Sequence, residues 1–132
     1  MALTAKIGDI FTLQKEVDKY RPIFYAGASG DFNPIHIDAE FGKMVGLGGA
    51  ILQGLCTMAF VMQTVSEWSH DPYKVKKLKV RFAKPVLPED TITITGTVTK
   101  IENNMAHCEL IAKKQTGDEV INTAFAEVEL GS

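Results

Sequence analysis

One long apolar run, from about Ile51 to Trp68, limits the fold of this chain more than any other feature. Leu55, Met58, Ala59, Met62, Val65 and Ser66 recur at spacings of three and four, while Phe60 and Val61 widen the apolar face. This predicts a single long helix, apolar nearly all round and therefore buried. After Asp71 and Pro72 the period changes to two. Leu78, Val80 and Phe82 alternate with Lys79 and Arg81, Ile92, Ile94 and Val98 with threonines, and two further runs carry Cys108, Leu110 and Ala112, then Ala124, Ala126 and Val128. Turn signals at Pro88–Glu89–Asp90, Asn103–Asn104 and Gly117–Asp118 divide them into four successive antiparallel strands. One buried helix followed by such strands implies a sheet wrapped around it, an α+β arrangement.

The first third is more broken. Ile10, Phe11, Leu13 and Val17 suggest a short first strand within Ile7 to Val17. Asp18 is placed to cap a helix holding Ile23, Phe24, Ala26 and Gly27, with Pro22 in its first turn and Gly30 at its end. Asp38 is placed to cap a second short helix through Phe41 and Met44, with Gly46, Gly48 and Gly49 as breakers.

With 132 residues, 45% apolar and 23% charged, one compact domain is expected. The net charge of −2 offers no electrostatic ground for binding nucleic acid or an anionic membrane. Cys56 and Cys108 lie in apolar surroundings without paired spacing, which points to reduced buried thiols and an intracellular, cytoplasmic setting. No leader pattern or membrane-spanning run stands out. His36, His70 and His107 share no metal-ligand spacing, so a metal site is not expected.

The chemistry concentrates in Tyr25 to His36, YAGASGDFNPIH. Gly30 admits a positive φ, and Pro34 fixes its own φ and pushes Asn33 into an extended conformation. Asp31 and His36 should therefore emerge from one constrained loop, near enough to share a water. A carboxylate and an imidazole so held form an acid/base pair. Gly, Asp, Asn and Pro are also what any surface turn uses, and composition alone favours that plainer reading.

SGDFNPIH, preceded by Tyr25 and Ala26 and followed by Gln53 and Gly54, closely resembles the hydratase motif of the MaoC-like dehydratases. That family includes (R)-specific enoyl-CoA hydratases and the 3-hydroxyacyl-thioester dehydratases of fatty acid synthesis. The resemblance continues through GLGGAILQGLCTM and VRFAKPVLPEDTI, from about Tyr20 to about Thr95. It implies a hot dog fold over residues 1–132, used as a dimer whose sheets join edge to edge. It also implies reversible addition of water to a trans-2-enoyl thioester, giving the (R)-3-hydroxyacyl thioester. On this resemblance Asp31 and His36 handle the water and its protons, and Asn33 either orients them or only shapes the turn. Gly54 offers its N–H to the thioester oxygen, unless it merely allows close packing. No cofactor is implied beyond the coenzyme A or acyl carrier protein of the substrate.

Two positions depart from the family pattern. Gln53 stands where a histidine is common, and Met62 stands where some members place a serine that would support the carboxylate. Two alternatives follow the same resemblance: the catalytic subunit of a two-chain 3-hydroxyacyl-carrier-protein dehydratase, paired with a second hot dog subunit, and a hot dog thioesterase, for which the long helix supplies only Glu67. Lys74, Lys76, Lys77, Lys79, Arg81 and Lys84 make a basic segment suited either to substrate phosphates or, as the alternation favours, to a solvated strand face.

Overall fold

The computed structural model describes residues 3–131, so Met1, Ala2 and Ser132, at the ends of the expected 1–132 domain, lie outside the described residues. Five strands, β1 (Ile10–Glu16), β2 (Val75–Phe82), β3 (Thr91–Glu102), β4 (Met105–Lys114) and β5 (Glu119–Glu129), form one antiparallel sheet in the order β1-β3-β4-β5-β2. Between β1 and β2 the chain forms α1 (Arg21–Ser29), α2 (Pro34–Ile37), α3 (Ala39–Met44) and α4 (Gly54–Ser69).

In β3, β4 and β5 the alternation read from the sequence faces the core as expected. Ile92, Ile94, Val98, Cys108, Leu110, Ala112, Ala124, Ala126 and Val128 are all buried in one cluster with Cys56, Phe60, Val61 and Val65 of α4. Burial of each large side chain there contributes about 1.5–3 kcal/mol. Asn103 and Asn104, at φ 52° and 62°, make the tight β3–β4 hairpin, because asparagine tolerates the left-handed region that such turns require. Helix α4 packs against β1, β2 and β3, and Trp68 near its end stacks on Phe11 of β1 at 4.5 Å. This is the hot dog arrangement of a sheet around one long helix.

Four expectations need correction. The sheet is not a four-strand run: β2 pairs with β5, not β3. Residues 83–90 cross over instead of turning back as a hairpin, held where Leu52 N–H meets Val86 O at 2.7 Å and Val17 N–H meets Asp90 O at 2.8 Å. Helix α4 starts at Gly54 rather than Ile51: Ile51 and Leu52 give their N–H groups to Ile35 O and Val86 O and lie outside the helix. Its buried face is Cys56, Thr57, Phe60, Val61, Thr64 and Val65, whereas Leu55 is 65% exposed. Lastly, Asp18 does not cap α1 directly; its carboxylate takes the N–H of Tyr20, itself the N-cap, at 2.8 Å.

The Asp38 cap holds, with its carboxylate accepting from Glu40 N and Phe41 N. Both cysteines are free and buried, and burial pushes the Cys108 thiol up to about 12. Among the described residues, no helix is long and apolar enough to cross a membrane.

Candidate active site

The loop after α1 is built one hydrogen bond at a time. Gly30, at φ 80°, closes α1 with its N–H on Ala26 O. A non-glycine residue would be strained in that conformation. Ser29 Oγ donates to Tyr25 O at 2.7 Å and accepts from Asp31 N–H at 3.2 Å, and Asp31 Oδ1 accepts from Asn33 N–H at 3.4 Å. Asn33 is extended, and its side-chain oxygen accepts from Ile35 N–H at 3.1 Å, which caps α2 behind Pro34. The Asn33 side chain therefore shapes the turn, and its backbone N–H steadies Asp31. Where the sequence predicts only a turn, the chain forms the one-turn helix α2.

His36 rides on α2 and is 8% exposed. Its Nδ1 lies 2.8 Å from the carbonyl oxygen of Ile51. A carbonyl can only accept, so Nδ1 carries the proton and Nε2 is turned toward Asp31, 3.5 Å from Oδ2. That gap is longer than a tight charge-assisted bond of about 2.7–2.9 Å. It suits two groups that flank a water. The Asp31 side chain is 47% exposed, so the pair has one anchored member and one open to solvent.

His36 also lines a cleft of about 310 Å³ with Ile51, Leu52, Gly54, Thr57 and Phe82. Gly54 is the first residue of α4. The N–H groups of Cys56 and Thr57 turn back onto Gln53 O at 3.0 and 3.3 Å, while those of Gly54 and Leu55 have no backbone acceptor among the described residues. Free N–H groups at the positive end of a helix favour an oxygen that is gaining charge. A Cβ at Gly54 would come 3.3 Å from the Phe82 ring, so the glycine also serves close packing, and that ring forms an apolar wall beside the free N–H. Asp31 itself does not line this cleft. A second hollow of about 430 Å³ opens beside His36 between Tyr20, Ile23, Ile37 and Leu87.

The sequence reading did not single out Thr57 or the placement of Phe82 in this cleft. Thr57 carries a legible signal, lying one helical turn beyond Gly54; Phe82 carries none, because its place depends on the crossover after β2. The remaining candidates lie elsewhere. His70 ends α4 at φ 62°, and His107 Nδ1 lies 3.6 Å from Glu127 Oε1. Several lysines of the basic segment have local partners: Lys74 donates to Gly131 O, Lys76 pairs with Glu129 and Lys84 with Asp118. Among the described residues, no cluster of His, Cys, Asp and Glu is arranged to hold a metal.

A turn-held carboxylate and imidazole beside a helix amino end, on this sheet and helix, mark a definite class. The chain belongs to the MaoC-like domain family, whose model matches residues 10–123. It is 39% identical over 102 residues to peroxisomal multifunctional enzyme type 2 of Mus musculus, covering 76% of this chain and 13% of that protein. It is 41% identical over 66 residues to peroxisomal enoyl-CoA hydratase 2 of Arabidopsis thaliana, covering 48% of this chain and 21% of that protein. The chain thus spans about a fifth or less of these two curated relatives. Among solved structures, a MaoC-like dehydratase superposes with a TM-score of 0.91 at 28% identity, over 96% of this chain and 41% of its own.

Proposed function

We propose that this chain catalyses the reversible hydration of trans-2-enoyl thioesters to (R)-3-hydroxyacyl thioesters. The observation that carries the reading is the His36 ring, pinned by Ile51 O, with Nε2 facing Asp31 and its flank in the cleft that Gly54 opens. A relative named enoyl-CoA hydratase 2 supports it.

The chemistry follows from these groups. A water held between Asp31 and His36 loses a proton to the pair as its oxygen bonds to the β-carbon. The π electrons shift toward the thioester carbonyl, and the charge gathering on that oxygen is met by the Gly54 N–H at the amino end of α4. The pair then returns a proton to the α-carbon. Water has been added and nothing is oxidised or reduced. No cofactor is needed beyond the coenzyme A or acyl carrier protein of the substrate. Asp31 and His36 work as a unit, and a catalyst of this kind speeds hydration and dehydration alike.

A thioesterase acting through Glu67 has less support, since that residue lies about 20 Å along α4 from Gly54. An assay series decides. Enoyl-CoAs of increasing length should lose their conjugated absorbance with no release of free thiol; release of thiol without hydration would favour the thioesterase.

We also infer a cytoplasmic homodimer rather than a pairing with a second hot dog subunit. Strands β1 and β2 leave two sheet edges open, and Phe24, Phe32 and Leu55 are exposed around the site. Sedimentation of the purified chain should give twice the monomer mass, with full activity. An inactive monomer would point instead to the two-chain dehydratase.

A further inference from the structure

We propose that Gln53 is a positioning residue, a buried tie that sets the Gly54 N–H in register with the Asp31–His36 pair; the inference rests on the hydratase reading above. Gln53 is 1% exposed, and as the N-cap of α4 it makes no side-chain bond to its own helix. Its side chain instead crosses to α1, where Nε2 donates to Pro22 O at 2.9 Å. The amide orientation is settled by that partner, because a carbonyl oxygen turned toward Pro22 O would be repelled. Its own Oε1 is buried with no partner among the described residues.

Three successive residues tie this segment to three parts of the site. Ile51 exchanges bonds with α2, giving its N–H to Ile35 O and its carbonyl to His36 Nδ1, both at 2.8 Å. Leu52 N–H bonds to Val86 O at 2.7 Å, on the crossover that follows β2. Gln53 reaches α1, whose last turn delivers Asp31. The bonds to Ile35 O and Val86 O are made by backbone atoms alone, and the one to His36 belongs to the imidazole. The tie to α1 belongs to the Gln53 side chain.

Its reach to Gly54 is direct. The peptide plane joining Gln53 to Gly54 is fixed to α4 by the Cys56 and Thr57 N–H groups on Gln53 O, so a side chain that pins Gln53 to α1 sets where the start of α4, and with it the Gly54 N–H, stands relative to the loop that carries Asp31. Stability gives little reason for an amide here. The Nε2 bond is favourable, but an unpaired buried oxygen is costly, and the two effects oppose each other. Aiming the oxyanion donor is what remains.

The test compares the full-length wild type with Gln53→Met, which keeps the length and volume but removes the amide, and Gln53→His, which restores an N–H donor. Each is measured for thermal midpoint and for kcat and KM with crotonyl-CoA. Gln53→Met should keep its thermal midpoint and KM while kcat falls roughly tenfold or more, as expected for a misaimed catalytic group. Gln53→His should recover most of that loss. An active wild type matched by an equally active Gln53→Met overturns the positioning role alone. So does a kcat loss that merely follows loss of folded protein, or one that histidine fails to relieve. A wild type that leaves crotonyl-CoA untouched overturns the hydratase reading and this role with it.

Discussion

Asp31→Asn is expected to lower kcat for crotonyl-CoA hydration about a hundredfold or more, with the thermal midpoint nearly unchanged. The Asp31 side chain is half exposed, and among the described residues its polar contacts are the Asn33 N–H and His36 Nε2, so the amide fits in its place. What is lost is a group able to take a proton. His36→Ala should lose as much activity and also some stability, because it strands the Ile51 carbonyl that Nδ1 now satisfies. A fully buried group left unpaired costs about 1–3 kcal/mol, and this half-buried one should cost less. On the proposed mechanism the two residues handle one water and one proton together, so the double variant should be little slower than the worse single variant. Losses that multiply would mean the two act separately.

The largest expected effect on stability comes from Gly42→Ala. A Cβ there would stand 1.9 Å from Gly49 O and 2.6 Å from Gly49 C, backbone atoms that cannot rotate aside. Either α3 or the loop 46–50 must move, and that loop leads straight into Ile51, the anchor of His36. Overpacking against side chains costs about 1–3 kcal/mol; against fixed backbone the loss should reach or pass about 3 kcal/mol. It should appear as a lowered urea midpoint and be accompanied by lost turnover. Gly27→Ala is the control, since a Cβ at that α1 position meets nothing within 4 Å. It should be neutral or gain up to about 1 kcal/mol from helix propensity. Equal effects from the two substitutions would show that the contact with Gly49 is unimportant.

These contrasts also show what the sequence could reveal. Strands β3, β4 and β5 were legible because a period of two with one buried face leaves a single choice of register, and Asn103–Asn104 marked the hairpin. The pairing of β2 with β5 was not, because nothing local distinguishes a hairpin from a crossover when the link runs over residues 83–90. Helix α4 was recognisable as a helix but not in its facing. With apolar residues all round, the period cannot choose between Leu55, Met58 and Met62 and the face that is actually buried. Thr64 stays inside that face because its hydroxyl bonds to Phe60 O at 2.8 Å, a pairing composition does not announce.

At the site, the nearness of Asp31 and His36 was legible because Gly30 and Pro34 leave the loop few conformations, and the structure brings the two side chains together; their role was read from the family motif, since composition alone favoured a plain turn. The anchoring of His36 by Ile51 depends on a contact fifteen residues away and was invisible. Gln53 stood out in the sequence only as a departure from the family pattern. Its bond to Pro22 spans 31 residues, which no spacing rule could find.

Resolving the enantiomers of the 3-hydroxybutyryl-CoA formed from crotonyl-CoA by the purified chain puts the Asp31–His36 site to its hardest trial. Water held on one fixed side of the substrate should yield a single enantiomer, the (R) form. A racemic or (S) product, or no hydration at all, would contradict the mechanism.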